Sequence, residues 1–546
     1  MAETHSHRNL YLAALVASFT AALFGYSVGF IGGILVLPSF LHHFGLDGLP
    51  AAQLASASSN IVSAWLVGAL LGVPLGMPVC SRSGKRACLI LSATLYVFGV
   101  ALQLIDVQSL ALFDIGRFIN GLGVGAGTLV SPMYIAEIAT PSTRGMLLSG
   151  YQTVLQFFAL IGFWAAFSAH SAFPDSSSLQ WQIPIALQLL PGVPLLLGAL
   201  WIPESPRFLA ESGLSNEAED VLAWLRASTK EDMYVQDELR EIQTIAEITG
   251  AAQARSRGFW SETRSRSVRK RLALGIGLMM AQNMVGLNAL NYYAPKIFMS
   301  AGFTSVSSSL FLTGLFGAIK LISALSFMFV FVHMKGNRFW LRFGSLVCGI
   351  TMLVLAVCVQ RLPISPDQRG STVSSLASVF TLGFSTSWPG SHSVSEEASN
   401  YNAYGIISVF MVYIFAFAFG LSLGPISWNV CSEIFPAHIK AKCCAITTCT
   451  QWLFQIVIAG VTPYLLAKVG WATYLVYAVC CLITLIWVHY FVPETQGVSL
   501  GRAMDELFGP VAGHDQTEAM VVVDESTALL QGSTGGHARR DSVGCV

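Results

Sequence analysis

Charge is scarce in this chain: only 11% of its 546 residues are Asp, Glu, Lys or Arg, against about 25% in an ordinary soluble domain. A surface so poor in charge cannot all face water. The 30 basic and 30 acidic residues cancel, which removes the electrostatic case for a nucleic-acid partner. Metal spacing is missing too: the eleven cysteines form no CxxC and no Cys/His cluster, so neither a zinc site nor a disulfide frame is expected. They fall in apolar runs (Cys348, Cys358, Cys449, Cys480, Cys481) or near helix ends (Cys80, Cys443, Cys444) and read as small buried residues. The sequence also lacks an Asn-x-Ser/Thr sequon, a nucleophile–base pair and a phosphate loop. No cofactor and no enzymatic activity are expected. Gly121, Gly123 and Gly125 lie inside an apolar run, where close helix packing explains them better than a nucleotide.

What the chain does have is hydrophobic length. Crossing the hydrocarbon core takes about 20 mostly apolar residues in a helix. Such runs lie near 10–36, 59–80, 87–105, 109–136, 148–169 and 183–202, and again near 271–297, 307–332, 340–360, 404–430, 443–466 and 471–491. The first run exceeds a signal-peptide core of roughly 7–15 residues and reads as a retained helix. With both termini in the cytosol, all 30 Lys and Arg fall on the cytosolic side except Lys296, Arg361, Arg369 and Lys468 outside and Arg117 and Lys320 within spans. That asymmetry sets the expected orientation.

Three polar signatures recur in the same order in the two halves: Arg82-Ser83-Gly84-Lys85-Arg86 with Lys335-Gly336-Asn337-Arg338, Glu137…Arg144 with Glu433…Lys440, and Pro203-Glu204-Ser205 with Pro493-Glu494-Thr495. Gly336 follows Gly84 by 252 residues, Glu433 follows Glu137 by 296 and Pro493 follows Pro203 by 290. The step from 252 to 296 falls where a Ser- and Pro-rich stretch, 362–402, lengthens one connection in the second half only. A duplicated six-helix unit with one insertion accounts for this. Parallel repeats of this kind place a substrate near the bilayer midplane between the halves, with access alternating as they rock. The Glu, Arg and Lys of the signatures are candidate gating charges, able to pair across the halves when the inner side closes.

The expected class is therefore an all-α membrane protein, with twelve transmembrane helices in two pseudo-symmetric six-helix bundles. The expected divisions are 1–202 for the first bundle, 203–270 for a cytosolic helical linker, 271–495 for the second bundle, and 496–546 for a cytosolic, largely disordered tail. In the linker, Asn216 and Glu219 resemble a capping pair ahead of an apolar stripe, Val221, Leu222 and Leu225. The expected partners are the lipid bilayer and a small solute, the expected state a monomer, and the expected location the plasma membrane.

These residues carry a family resemblance: Phe24-Gly25-Tyr26, Gly116-Arg117-Phe118, Pro132 to Ile138, Pro203 to Leu209, Gln282 to Tyr293, Gly424 to Trp428, Glu433 to Pro436 and Pro493 to Leu500. Between about 10 and 508 the chain resembles the sugar porter branch of the major facilitator superfamily in its fungal form. The resemblance implies a sugar held by Gln152, Gln282, Asn283 and Asn288, with Trp428, Phe419 and Trp452 as apolar walls and Tyr292 and Tyr293 near an outer gate. On the eleventh helix Gln451 and Gln455 stand where the family commonly has Asn, and Gln455 is counted with the substrate contacts. The implied gating set is Arg82, Arg86, Arg117, Glu137, Arg144, Glu204, Tyr292, Tyr293, Arg338, Glu433, Lys440 and Glu494. Amides suit the task, since they donate and accept as hydroxyls require without the desolvation cost of charge.

Several positions depart from the family pattern. Proton-coupled members carry an Asp after Phe-Gly-Tyr, and here the residue is Ser27, which favours facilitated diffusion. Asp114, three residues before Arg117, is a candidate ion partner on the same helix. Ser81 and His333 replace acids, and Met334 and Asn337 replace basic residues. Lys320 stands where glucose facilitators tend to carry Asn and resembles quinate-type permeases. A lysine there is a candidate substrate contact for a sugar acid or a paired structural charge. The leading expectation is transport of a hexose or related sugar without coupling. Proton symport of a sugar or quinate-like acid and a non-transporting nutrient sensor are the alternatives.

Overall fold

The computed structural model describes residues 8–140, 143–255, 259–300, 303, 305–331, 334–361, 403–436, 439–495 and 508. The 362–402 stretch, His333, Arg369 and the tail beyond 495 apart from Phe508 lie outside the described residues, as does the side chain of Glu433. Among the described residues twelve helices are long and apolar enough to cross a membrane. They are Arg8–Ile34, Gln53–Arg82, Lys85–Gln103, Leu110–Ile138, Arg144–Ala172 and Leu179–Trp201, then Arg266–Met299, Val306–Phe329, Asn337–Arg361, Ala403–Ser432, Lys440–Leu466 and Ala472–Phe491. Each coincides with one apolar run in the sequence. Their outward faces expose Leu, Ile and Val, for example Leu197, Ile350 and Ile483, as contact with lipid tails requires.

Breaks in the spans have local causes. In the seventh, Gly286 adopts a φ of +98° between the helices Arg266–Met284 and Leu287–Ser300, a left-handed turn that costs glycine little. Pro295 has no N–H to offer the carbonyl of Asn291, and the helix kinks between them at Tyr293 (φ −125°, ψ 18°). In the tenth, Pro425 leaves the carbonyl of Leu421 unmatched in the same way, and the span divides into Ala403–Gly420 and Leu423–Glu433.

Helix pairing repeats across the halves. The first span packs on the fifth, the second on the fourth, and the third on the fourth and sixth. The seventh correspondingly packs on the eleventh, the eighth on the tenth, and the ninth on the tenth and twelfth. Between halves, the second meets the eleventh and the fifth meets the eighth, two contacts that a pseudo-twofold axis exchanges.

The recurring signatures have a shared structural meaning within each half. Glu204 accepts from the backbone N–H groups of Lys85 (2.9 Å), Arg86 (3.0 Å) and Ser205 (2.9 Å). Glu494 does the same for Asn337 (2.8 Å), Arg338 (3.1 Å) and Thr495 (3.0 Å). Each carboxylate thus caps the positive end of the third or ninth span, a placement worth about 0.3–1 kcal/mol when exposed and up to about 2 when partly buried. The glycines make room for it. A Cβ on Gly84 would lie 2.2 Å from Glu204 Oε2, and one on Gly336 2.1 Å from Glu494 Oε2.

Four further helices, Pro206–Glu211, Ser215–Arg226, Met233–Arg255 and Phe259–Glu262, connect the halves on one face, the basic face. Leu222 and Leu225 are buried there, as the apolar stripe implies. The expected Asn216 cap is not formed: the helix starts one residue earlier, after Leu214, with no side-chain cap, and Glu219 instead accepts from Gln236 at 2.6 Å. Buried Arg226 bonds Glu238 twice, at 2.9 and 2.5 Å, and donates to the carbonyl of Ile138 at 3.1 Å. It thereby satisfies the negative end of the fourth span.

Candidate functional site

A cavity of about 1020 Å³ lies between the halves and opens on the basic face. Gln152 and Gln156 of the fifth span, Lys320 of the eighth, and Phe419 and Trp428 of the tenth line its depth. Glu137, Arg144, Arg207 and Lys440 stand at its mouth. The volume suits a small solute, and so does the mix of apolar wall with a few polar groups. Gln152 and Gln156 are one turn apart, so the fifth span presents both amides together.

The opposite face is closed by contacts between the halves. Lys296 Nζ donates to Ser58 Oγ at 2.9 Å, and Ser59 Oγ to the carbonyl of Gly460 at 3.4 Å. Gly32 presses so closely on the seventh span that a Cβ would lie 2.7 Å from the Tyr292 carbonyl. Trp452 is wedged against Phe24 and Trp65, ring centroids 4.9 and 5.6 Å away. Tyr292 and Tyr293 are buried in this seal, the first taking a bond from Gln455 (2.5 Å), the second donating to the Ala459 carbonyl (2.9 Å).

The site expectations therefore divide. Gln152, Lys320, Phe419 and Trp428 reach the cavity, whereas Gln282, Asn283, Asn288, Trp452 and Gln455 do not line it. In this conformation the amides sit behind it and satisfy one another. Gln282 and Asn283 both donate to Gln451 Oε1 at 2.6 Å, and Asn288 donates to Asn283 Oδ1 at 2.5 Å. Asn291 donates to Asn288 at 3.4 Å and receives Lys320 Nζ at 2.8 Å. Lys320 is 5% exposed, and the rings of Phe316 and Phe163 lie 5.4 and 5.8 Å from its ammonium. Among the described residues it has no carboxylate partner.

Arg117 is equally unusual. The guanidinium is fully buried between Phe30 (5.6 Å) and Trp65 (5.4 Å), and none of its three nitrogens has a hydrogen-bond partner among the described residues. The expected pairing with Asp114 is absent: its Oδ1 is buried and unpartnered too. The guanidinium turns into the ring cage, out of the carboxylate's reach. Ser27 is taken up by the Tyr96 hydroxyl at 3.1 Å.

At the mouth, Glu137 is paired inside its own half. Lys85 Nζ meets Glu137 at 2.8 Å, Ser205 Oγ donates to the same carboxylate at 2.5 Å, and Arg86 donates to the carbonyls of Ala199 and Leu200. In the second half Arg338 donates to the His489 carbonyl at 2.5 Å, and Asn337 bonds Thr495 at 3.0 Å where the first half has an ion pair. Arg144 keeps an unpartnered Nε, and Arg82 is exposed.

A family model described as Sugar (and other) transporter matches residues 13–508. The chain belongs to that family. "Quinate permease" of Neurospora terricola is 32% identical over 505 residues, spanning 91% of this chain and 88% of the relative. "Probable quinate permease" of Aspergillus flavus is 31% identical over the same length, with 91% and 88% covered. The xylose transporter XylE from E. coli, in a partially occluded inward-open conformation, matches with a TM-score of 0.70 at 23% identity, covering 90% of this chain and 100% of that one. Bound to 6-bromo-6-deoxy-D-glucose it gives 0.72 at 24%, covering 92% and 99%. Those two likenesses show the major facilitator fold, which the described helices share. The chain is a transporter and not an enzyme.

Sequence reasoning about this transporter missed Gln156 and Asn291, while Lys85 stood among the signature charges and pairs with Glu137 of the same half. Gln156 was findable, one turn from Gln152 on the same helix. Asn291 was not, because its partner lies on another span.

Proposed function

We propose that this transporter moves a polyhydroxylated acid, of the quinate type, across the membrane by alternating access. The observation that carries the reading is Lys320: a buried ammonium lining the cavity, held by one neutral amide. An ammonium in such a place is costly unless something anionic meets it. A substrate carboxylate meets that need, while Gln152, Gln156 and Trp428 take the hydroxyls and the apolar ring face. The names of the relatives support the same class.

Neutral hexose transport is the second reading, favoured by the amides. In either case Ser27 removes the first-helix acid, so transport runs without a proton at that position. The basic face is cytosolic on this reading, both termini with it, and the chain works as a monomer in the plasma membrane. Uptake of labelled quinate and glucose into yeast lacking hexose transporters, with and without a protonophore, tests these points. The expected result is quinate uptake that a fifty-fold excess of glucose leaves largely intact, about the discrimination one charged contact supplies. Glucose uptake without quinate uptake would favour the hexose reading. Loss of accumulation on adding the protonophore would mean coupling through another group, and purified protein that moves neither solute into liposomes would point to a sensor.

A further inference from the structure

The amides behind the cavity form a directed chain, and its direction has a cause. An ammonium can only donate, so Lys320 turns the oxygen of Asn291 toward itself. The Asn291 nitrogen is then left to donate to Asn288, Asn288 to Asn283, and Asn283 to Gln451. One charged group thereby orients four amides on three helices, and bonds in such a series strengthen one another. The chain straddles the break at Gly286: Asn283 lies before it, Asn288 and Asn291 after it. The helix after the break also carries Tyr292, Tyr293 and Lys296, which close the far face. Within the chain the Asn291–Asn288 bond is the longest, 3.4 Å.

Resting on the reading of Lys320 as the carboxylate's partner, we propose that Asn291 is the specificity-determining positioning residue of this transporter. It holds the ammonium until an acid displaces it, and passes that displacement to the outer seal. The discrimination follows from what must be displaced. A neutral sugar hydroxyl would exchange one neutral acceptor for another and gain nothing at Lys320. A carboxylate exchanges a neutral acceptor for a charged one, and such bonds are roughly twice as strong. When it does so, Asn291 loses the donor that fixed its orientation, and the chain relaxes at its longest bond. The segment that seals the far face then loses its Lys320 tie to the eighth span.

The test compares wild type, Asn291→Ala, Asn291→Asp and Lys320→Gln, each reconstituted in proteoliposomes, for counterflow of labelled quinate and glucose. Asn291→Ala removes the competitor, so half-saturation by quinate should fall severalfold while the maximal rate also falls, a split that lost packing does not produce. Asn291→Asp places a permanent carboxylate on the ammonium and should reduce quinate counterflow at least tenfold, as Lys320→Gln does. A second readout is maleimide labelling of Ser58→Cys at the far seal, which quinate should increase in the wild-type background and not with Asn291→Ala. The inference is overturned if Asn291→Ala shifts neither constant, or if Asn291→Asp keeps wild-type quinate counterflow. If Asn291→Asp does not reconstitute, the split shown by Asn291→Ala decides alone. Should Lys320→Gln itself leave quinate unaffected, the substrate reading fails with it; if only the Asn291 variants are silent, that reading stands.

Discussion

The two halves share a scaffold and differ in where each holds its buried charge. Both cap the third helix of the unit with a carboxylate from the segment after the sixth, and both leave a glycine where that carboxylate arrives. Counting back 16 residues from Gly84 and Gly336 sets Gly68 against Lys320. Gly68 is pressed on the backbone of Phe118, where a Cβ would come within 2.1 Å; Lys320 reaches into the cavity. Counting back 20 residues from Glu137 and Glu433 sets Arg117 against Tyr413. Arg117 sits in its ring cage, and the Tyr413 hydroxyl donates to the carbonyl of Leu312. Duplication preserved the frame, and each half then put one cation where the other has none. On the proposed reading, substrate chemistry follows the differences and the mechanics follow the sameness.

Five substitutions probe this difference between the halves. The largest effect belongs to Lys320→Gln. Losing a hydrogen bond to a charged group costs about 1.5–3 kcal/mol, so quinate uptake should drop about 10- to 100-fold while a neutral sugar is spared. An equal loss for both solutes would make Lys320 structural. Next come the paired glycines. Gly84→Ala and Gly336→Ala should each displace a capping carboxylate, at about 1 kcal/mol. Gly84 also holds a φ of +94°, which adds about 1–2 kcal/mol for a residue with a Cβ. Thermal unfolding in detergent should therefore show the lower melting temperature for Gly84→Ala, and the reverse order would contradict the shared-cap account. Smallest is Gln152→Ala. One neutral hydrogen bond, about 0.5–1.5 kcal/mol, should raise half-saturation roughly 2- to 10-fold with normal protein yield. Asn288→Ala, bonded to Asn283 inside the packed chain, should lower yield as well.

Much of this was readable in the sequence, for reasons that differ by element. Apolar length marks a membrane helix locally, so all twelve spans appear in the string of residues. The repeat was visible because glycine, carboxylate and proline recur at matched offsets. What those signatures do was less visible: Glu204 and Glu494 read as gating charges, whereas here they cap helices within their own half, because a carboxylate's partners are backbone N–H groups that no motif names. The Asp114–Arg117 pair failed for a related reason. Spacing by three residues brings side chains together on an open helix face, but Arg117 faces neighbouring helices whose rings claim it. Lys320 was conspicuous as a charge in an apolar run, and its tie to Asn291 depends on two spans meeting.

The central claim is that the cavity reads a carboxylate through Lys320. The most direct measurement is competition of quinate and its neutral carboxamide for binding to the purified protein, in wild type and in Lys320→Gln. The account predicts that wild type prefers the acid by about tenfold or more and that the variant loses the preference. Equal binding of acid and amide by wild type would contradict it.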